Sequence, residues 1–192
     1  MYKPKISEEE LKELEPLQFE GPIHLITSDD QIADAIAILN KSECIGFDTE
    51  TKPTFTKNTK NSVSLLQLST EKEAFLFRLH YLSDFEPIFS LLSDPKILKV
   101  GVAVDGDLRD LLQLKKFRAT NFVELQSYVK NFKIENISLK KLGAIVLNGK
   151  ISKRQQRSNW ELNTLSEAQL RYAATDAWAS LMIYKKLKSS FN

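Results

Sequence analysis

Ile45-Gly46-Phe47-Asp48-Thr49-Glu50-Thr51 is an apolar run that ends in two acids one residue apart. Extended backbone turns successive side chains to opposite faces, so Asp48 and Glu50 leave the same face of a strand. Two like charges side by side repel, and nothing in a strand requires them. A divalent cation removes the repulsion and gives the pair a use. Taken alone, the pair also reads as the solvated end of a strand.

Two other segments carry acids in comparable settings. In Val100-Gly101-Val102-Ala103-Val104-Asp105-Gly106-Asp107-Leu108, a second apolar run delivers Asp105 and Asp107 at the entry to a helix. Gly101 and Gly106 imitate the start of a P-loop, but Asp107 stands where that motif needs lysine. An acid there repels phosphate, so the nucleotide-cradling reading fails. The plain alternative for Asp107 is a first-turn acid favoured by the helix dipole. In Leu170-Arg171-Tyr172-Ala173-Ala174-Thr175-Asp176-Ala177-Trp178, Tyr172 and Asp176 are four apart and share one helix face. Ala173, Ala174, Ala177 and Ala179 allow that helix to pack closely on a sheet. A buried Tyr–Asp pair of this kind also occurs as a purely structural hydrogen bond.

Periodicity organises the rest of the chain. Strands are expected at 23–26, 44–50, 63–69, 74–78, 97–102 and 121–125. Helices are expected from the Ser28 cap to about residue 40, then at 85–92, 106–114, 126–131, and from the Ser138 cap to about residue 146. Residues 51–61, with Lys52, Lys57 and Lys60, read as a polar loop, and 148–163 as a basic irregular stretch. Ser166 with Gln169 forms a capping box that opens a long helix to about residue 188. Early strands with interleaved, then dominant, helices predict a single α/β domain with a mixed β-sheet flanked by helices. Residues 1–20, Glu-rich and holding Pro4 and Pro16, read as an N-terminal arm with a short helix at 7–14. The domain proper is expected at 21–192.

A length of 192 residues, 42% hydrophobic and 27% charged, suffices for one core. A single cysteine, Cys44, excludes an internal disulfide and a multi-cysteine zinc site, and two histidines, His24 and His80, disfavour a His-rich one. No run approaches the roughly 18 apolar residues of a membrane span, so no membrane partner is expected. The Met-Tyr-Lys-Pro-Lys start has no apolar run behind it and predicts no signal peptide. With one thiol, it points to the cytoplasm. The net charge of +2 is below that of a non-specific nucleic-acid binder, so the distribution of charge matters. Lys150, Lys153, Arg154 and Arg157 cluster before the last helix and could contact phosphates, positioning a strand without reading its sequence. Trp160 either stacks on a base or packs beside the core.

In an α/β domain the ends of adjacent strands and a packed helix can converge on one point. Four carboxylates meeting there without a cation would be severely destabilising. With two Mg²⁺ or Mn²⁺ ions they make a site for in-line phosphoryl displacement. The motif order Asp48-Thr49-Glu50, then Asp107, then Tyr172-Ala173-Ala174-Thr175-Asp176 resembles the tyrosine branch of the DEDD superfamily of 3′-5′ exonucleases. That branch includes ribonuclease D and the exonuclease domain of the Werner syndrome helicase. Gln67 among Leu65, Leu66 and Leu68, the Asn121-Phe122-Val123-Glu124-Leu125 run and Arg157-Ser158-Asn159-Trp160 are similar to the Werner-type subgroup.

The resemblance implies a ribonuclease H-like fold and removal of nucleotides from the 3′ end of DNA or RNA, with DNA favoured. It implies that Asp48 is a ligand shared by two metals, and that Glu50 and Asp176 hold the metal that activates water. It further implies that Asp107 supports the second metal and that Tyr172 orients the attacking water. Asp107, directly before the helical Leu108, fits the pattern better than Asp105. Thr51 and Lys52 replace the aromatic and apolar residues that often follow the first motif. With the last motif close to residue 192, no counterpart of the extra helical domains of ribonuclease D or of the helicase of the Werner protein is expected.

Two other readings compete. Asp48-Thr49-Glu50-Thr51 resembles the Asp-x-Asp-x-Thr of haloacid dehalogenase-type phosphatases, but Glu50 replaces the acid catalyst and no later acidic pair with a separate lysine is apparent. A catalytically inactive nucleic-acid-binding module would not need four acids.

Overall fold

A computed structural model describes residues 2–54 and 61–190. The apolar run quoted above lies at the middle of its sheet. The strands are β1 (Ile23–Ile26), β2 (Cys44–Thr51), β3 (Val63–Ser69), β4 (Ala74–Arg78), β5 (Leu98–Gly101) and β6 (Phe122–Glu124). They pair in the order β1-β4-β3-β2-β5-β6. β2 and β3 are antiparallel, as are β3 and β4, whereas β1–β4, β2–β5 and β5–β6 are parallel. The expected mixed sheet is therefore present, and each strand matches its expected position to within a residue or two. Residues 55–60, which include Lys57 and Lys60 of the expected loop, lie outside the described residues.

The helices are α1 (Glu8–Glu13), α2 (Ile32–Leu39), α3 (Glu86–Ser93), α4 (Val104–Leu114), α5 (Leu125–Tyr128), α6 (Leu139–Leu142) and α7 (Glu167–Ser189). Among the described residues no helix is long and apolar enough to cross a membrane. α2 and α3 cover one face of the sheet, where Ile45, Phe47, Leu66, Leu68, Phe75 and Phe77 meet Ile32, Ile36, Ile88 and Leu92 in one buried cluster. Each such side chain contributes about 1.5–3 kcal/mol when fully buried.

α7 covers the opposite face. The period-two rule decides what it meets: Ile45 and Phe47 point to the α2–α3 side, so Gly46, Asp48 and Glu50 point to α7. Gly46 is required at the crossing, because a Cβ there would sit 1.9 Å from the Ala177 carbonyl oxygen and 2.5 Å from Ser69 Oγ. The missing side chain lets the helix backbone close on β2 and carries the adjacent Asp176 with it. The Ser166–Gln169 capping box forms as expected and starts α7 at Glu167.

Three elements depart from expectation. α4 begins at Val104, two residues early, because the Glu124 carboxylate accepts from the backbone N–H groups of Ala103 (3.1 Å) and Val104 (2.7 Å). Ala103 turns into that helix at φ 61°, a left-handed conformation unusual for alanine. The helix capped at Ser138 widens after Leu142 into a π-turn, Gly143–Leu147. The arm is bound along its length rather than lying loosely on the surface. Ile6 and Leu11 are buried against Ala144, and Phe19 against Ala74 and Ala174. Leu17 N–H donates to the Lys150 carbonyl at 3.0 Å, and Lys150 N–H to that of Glu15 at 2.8 Å.

Candidate active site

The end of β2 and the third turn of α7 bring Asp48, Glu50 and Asp176 together. One oxygen from each lies within 4.8 Å of the other two. Asp176 is buried, and Asp48 and Glu50 are half-buried. Asp107, in the first turn of α4, joins from the parallel neighbour strand's exit, held by Thr49 Oγ1 donating to its carboxylate at 2.6 Å. Asp107 and Tyr172 line the same cavity as these three acids, with a volume of about 310 Å³. Asp105 is exposed and lies outside that lining, since a two-residue step on a helix turns a side chain to the far side.

The electrostatics follow from this crowding. Burial, then the charges of Asp176, Asp107 and Glu50, push the Asp48 carboxyl well above the usual carboxylate range. Burial, then Asp176 and Asp107, push Glu50 up to about 9. Burial raises Asp107 to about 7 against the opposing Thr49 hydrogen bond. Burial also raises Asp176 to about 7, opposed by the Tyr172 hydroxyl and by the charge of Lys153. The same burial and the neighbouring acids push the Tyr172 phenol far upward, so it stays protonated and acts as a donor. Such a cluster is stable when charged only if a cation joins it. An all-oxygen donor set at this spacing fits a hard divalent ion such as Mg²⁺ or Mn²⁺.

The structure disperses the basic stretch. Residues 148–163 hold no helix or strand, as expected. Lys153 borders the acidic cavity, and Arg154 borders a second one beside it, of about 180 Å³. Arg157 is exposed and lines neither. Trp160 is fully buried with Leu65, Leu76 and Tyr172, so its expected role as a base-stacking surface is corrected to packing: no ring face is open to a base.

Local sequence reasoning missed the groups that hold the acids in place. Thr49 and Glu124 fix Asp107, directly and through the start of α4. Gln126, Ser138 and Lys140 also line the cavity. Gln67, the cross-strand partner of Asp48, is fully buried, and neither end of its amide finds a hydrogen-bond partner among the described residues. The Asn121–Leu125 run held a signal for Glu124, an acid at a strand end facing a helix start.

Residues 23–192 match the family described as 3′-5′ exonuclease, and the chain belongs to that family. It is 34% identical over 200 residues to R431 of Acanthamoeba polyphaga mimivirus, covering 91% of this chain and 49% of that protein. It is 36% identical over 156 residues to the mouse bifunctional 3′-5′ exonuclease/ATP-dependent helicase WRN, covering 78% of this chain and 11% of that protein. The chain thus spans half or less of these relatives. Among solved structures, the EXO domain of Aedes aegypti Nibbler superposes with a TM-score of 0.78 at 27% identity over 88% of both chains. Escherichia coli RNase D gives 0.79 at 25% identity over 87% of this chain and 44% of that one. The sheet and its flanking helices are the ribonuclease H-like arrangement of these neighbours, and the phosphatase reading falls away.

Proposed function

We propose that this protein hydrolyses phosphodiester bonds from the 3′ end of nucleic acid and releases nucleoside monophosphates. The observation that carries this reading is the convergence of Asp48, Glu50 and Asp176, with Asp107 and Tyr172, on one cavity. Residues 21–192 form the catalytic domain in this proposal, and residues 1–20 an arm docked on it.

Asp48 would hold both of two divalent cations, Glu50 and Asp176 one of them, and Asp107 the other. Bound there, the cations would neutralise phosphate charge and make water acidic enough to attack. The Tyr172 hydroxyl, a donor on the Asp176 side of the cavity, orients the water, since a phenol this hard to ionise is no base. Lys153 at the cavity edge holds a backbone phosphate, with Arg154 and Arg157 farther along the strand. DNA is favoured over RNA because the sequence likeness is to the helicase-linked exonuclease subgroup. The test is a gel assay with 5′-labelled and 3′-labelled DNA and RNA oligonucleotides in Mg²⁺ or Mn²⁺. The expected result is immediate release of the 3′ label as mononucleotide, stepwise shortening of the 5′-labelled strand, and faster loss of DNA. Release of inorganic phosphate alone, or shortening from the 5′ end, would overturn the proposal.

A further inference from the structure

Phe19 belongs to the N-terminal arm, which precedes the residues that match the family. Its side chain is buried against Ala74, Ala174 and Trp178, with its ring centre 5.9 Å from that of Trp178. Its backbone is held by α7 as well. The Phe19 N–H donates to Thr175 Oγ1 at 3.0 Å, and the Phe19 carbonyl accepts from Arg171 Nη1 at 2.8 Å. Thr175 Oγ1 donates in turn to the Arg171 carbonyl at 2.6 Å, which fixes the orientation of that hydroxyl.

Arg171 and Thr175 each stand one residue before a member of the site, Tyr172 and Asp176. One residue turns a helix by about 100°, so the arm grips α7 beside the face that looks into the acidic cavity. Around this turn the contact with the sheet is made by the buried Ala173, Ala174 and Ala177. Small side chains bring the helix close but form shallow ridges, which do little to stop it rotating or sliding. Directional hydrogen bonds from the arm supply that resistance. The brace is itself anchored, since backbone hydrogen bonds tie Glu15 and Leu17 to Lys150. Gly149 permits the approach, because a Cβ there would lie 2.5 Å from Leu17 Cβ.

We propose that Thr175 and Arg171 are positioning residues: by gripping the Phe19 backbone they fix the rotation of α7 that aims Tyr172 and Asp176 at the cation site. The arm is then a working part of the active site rather than a cover laid on the domain. The inference rests on the nuclease reading for its effect on turnover, and on the hydrogen bonds of Phe19 to Thr175 and Arg171 for its substance.

Thr175→Val keeps the side-chain shape and removes the hydroxyl, and Thr175→Ser returns it. The experiment measures hydrogen exchange at the Phe19 amide, Mn²⁺ affinity by calorimetry, and kcat and KM on an oligonucleotide. In Thr175→Val the Phe19 amide should exchange at least about 10-fold faster, and Mn²⁺ should bind about 3-fold or more weakly. A misplacement of about 1 Å can cost about 100-fold in rate, and a smaller one less, so kcat should fall about 10-fold with KM little changed. Thr175→Ser should recover all of these toward wild type. Arg171→Gln should likewise lower kcat, whereas Glu167→Gln, which removes the Arg171 ion pair alone, should not. Unchanged Mn²⁺ affinity and kcat in Thr175→Val overturn the proposal. Should that variant fail to fold, equal kcat in Arg171→Gln and Glu167→Gln overturns it instead. Wild type that binds Mn²⁺, and loses affinity in Thr175→Val, but releases no nucleotide would overturn the nuclease reading and leave the positioning role standing.

Discussion

Asp48 and Asp176 stand on elements locked to one another. β2 is hydrogen-bonded on both sides, and α7 is pressed onto it where Gly46 has no side chain. Lys153, Arg154 and Arg157 stand on a segment without helix or strand, exposed, and with no ion pair among the described residues. The two regions meet where Lys153 borders the cavity of the acids, and in the proposed function they serve different physical demands. Ligands around a small cation must hold their places to within a fraction of an ångström. Side chains that grip a phosphate backbone need only reach it, and long flexible cations do so from a loop. In the proposed function the site therefore has a rigid chemical half and an adaptable binding half.

Removing a ligand from the rigid half should have the largest effect. Asp48→Ala is expected to lower turnover by at least about 10³-fold. Its melting temperature in chelator should equal or exceed that of wild type, because one repelling charge has gone. Unchanged turnover, or a melt lowered enough to account for the loss, would break the distinction between the halves.

Tyr172→Phe sharpens it. The ring packing stays and one hydroxyl goes, so kcat should fall by about 10- to 1000-fold, as when one positioning hydrogen bond is lost. Metal titration beside single-turnover rates should show affinity hardly changed. A large loss of metal binding would place Tyr172 among the ligands instead.

The adaptable half should respond in binding. Changing Lys153, Arg154 and Arg157 together to Ala is expected to raise KM roughly 10-fold with a smaller change in kcat. The salt dependence of binding should flatten, since fewer counterions are released. A wild-type salt slope in the triple variant would mean that the stretch merely faces solvent.

The last prediction concerns stability rather than activity. Unfolded carboxyls titrate near pH 4, whereas in the folded protein Glu50 sits near 9 and Asp107 and Asp176 near 7. The folded state thus binds more protons than the unfolded one across that interval, and stability must fall as pH rises through it. Between about pH 5 and about pH 9 the metal-free protein should become steadily less stable. Glu50→Gln should flatten the decline, and Mg²⁺ should offset it. Thermal melts across that range check this, and identical profiles for wild type and Glu50→Gln would contradict it.

The same division governs how far the molecule was legible from its residues. Asp48 and Glu50 declare their shared face through strand periodicity, and Tyr172 and Asp176 through helical spacing, because both rules act within a few residues. The strands and α7 were readable for the same reason. What held Asp107 was not: Thr49 reaches it across 58 positions, and Glu124 caps α4 from 20 positions beyond it. Trp160, in a basic, irregular stretch, reads either as a stacking surface or as packing, and only the distant Leu65, Leu76 and Tyr172 decide for the core. The docking of Ile6, Leu11 and Phe19 onto the domain is likewise a matter of long-range packing that leaves no local pattern.

The central claim is that carboxylates from β2 and α7 act as one cation site. Its most direct test is calorimetric titration of Mn²⁺ into wild type and Asp176→Asn. Asp176 lies 126 positions beyond Glu50 in the chain, so only the fold can make it a ligand. Saturable binding in wild type, weakened by at least about 10-fold in Asp176→Asn, is the predicted result. No binding to wild type, or equal binding to both proteins, would contradict it.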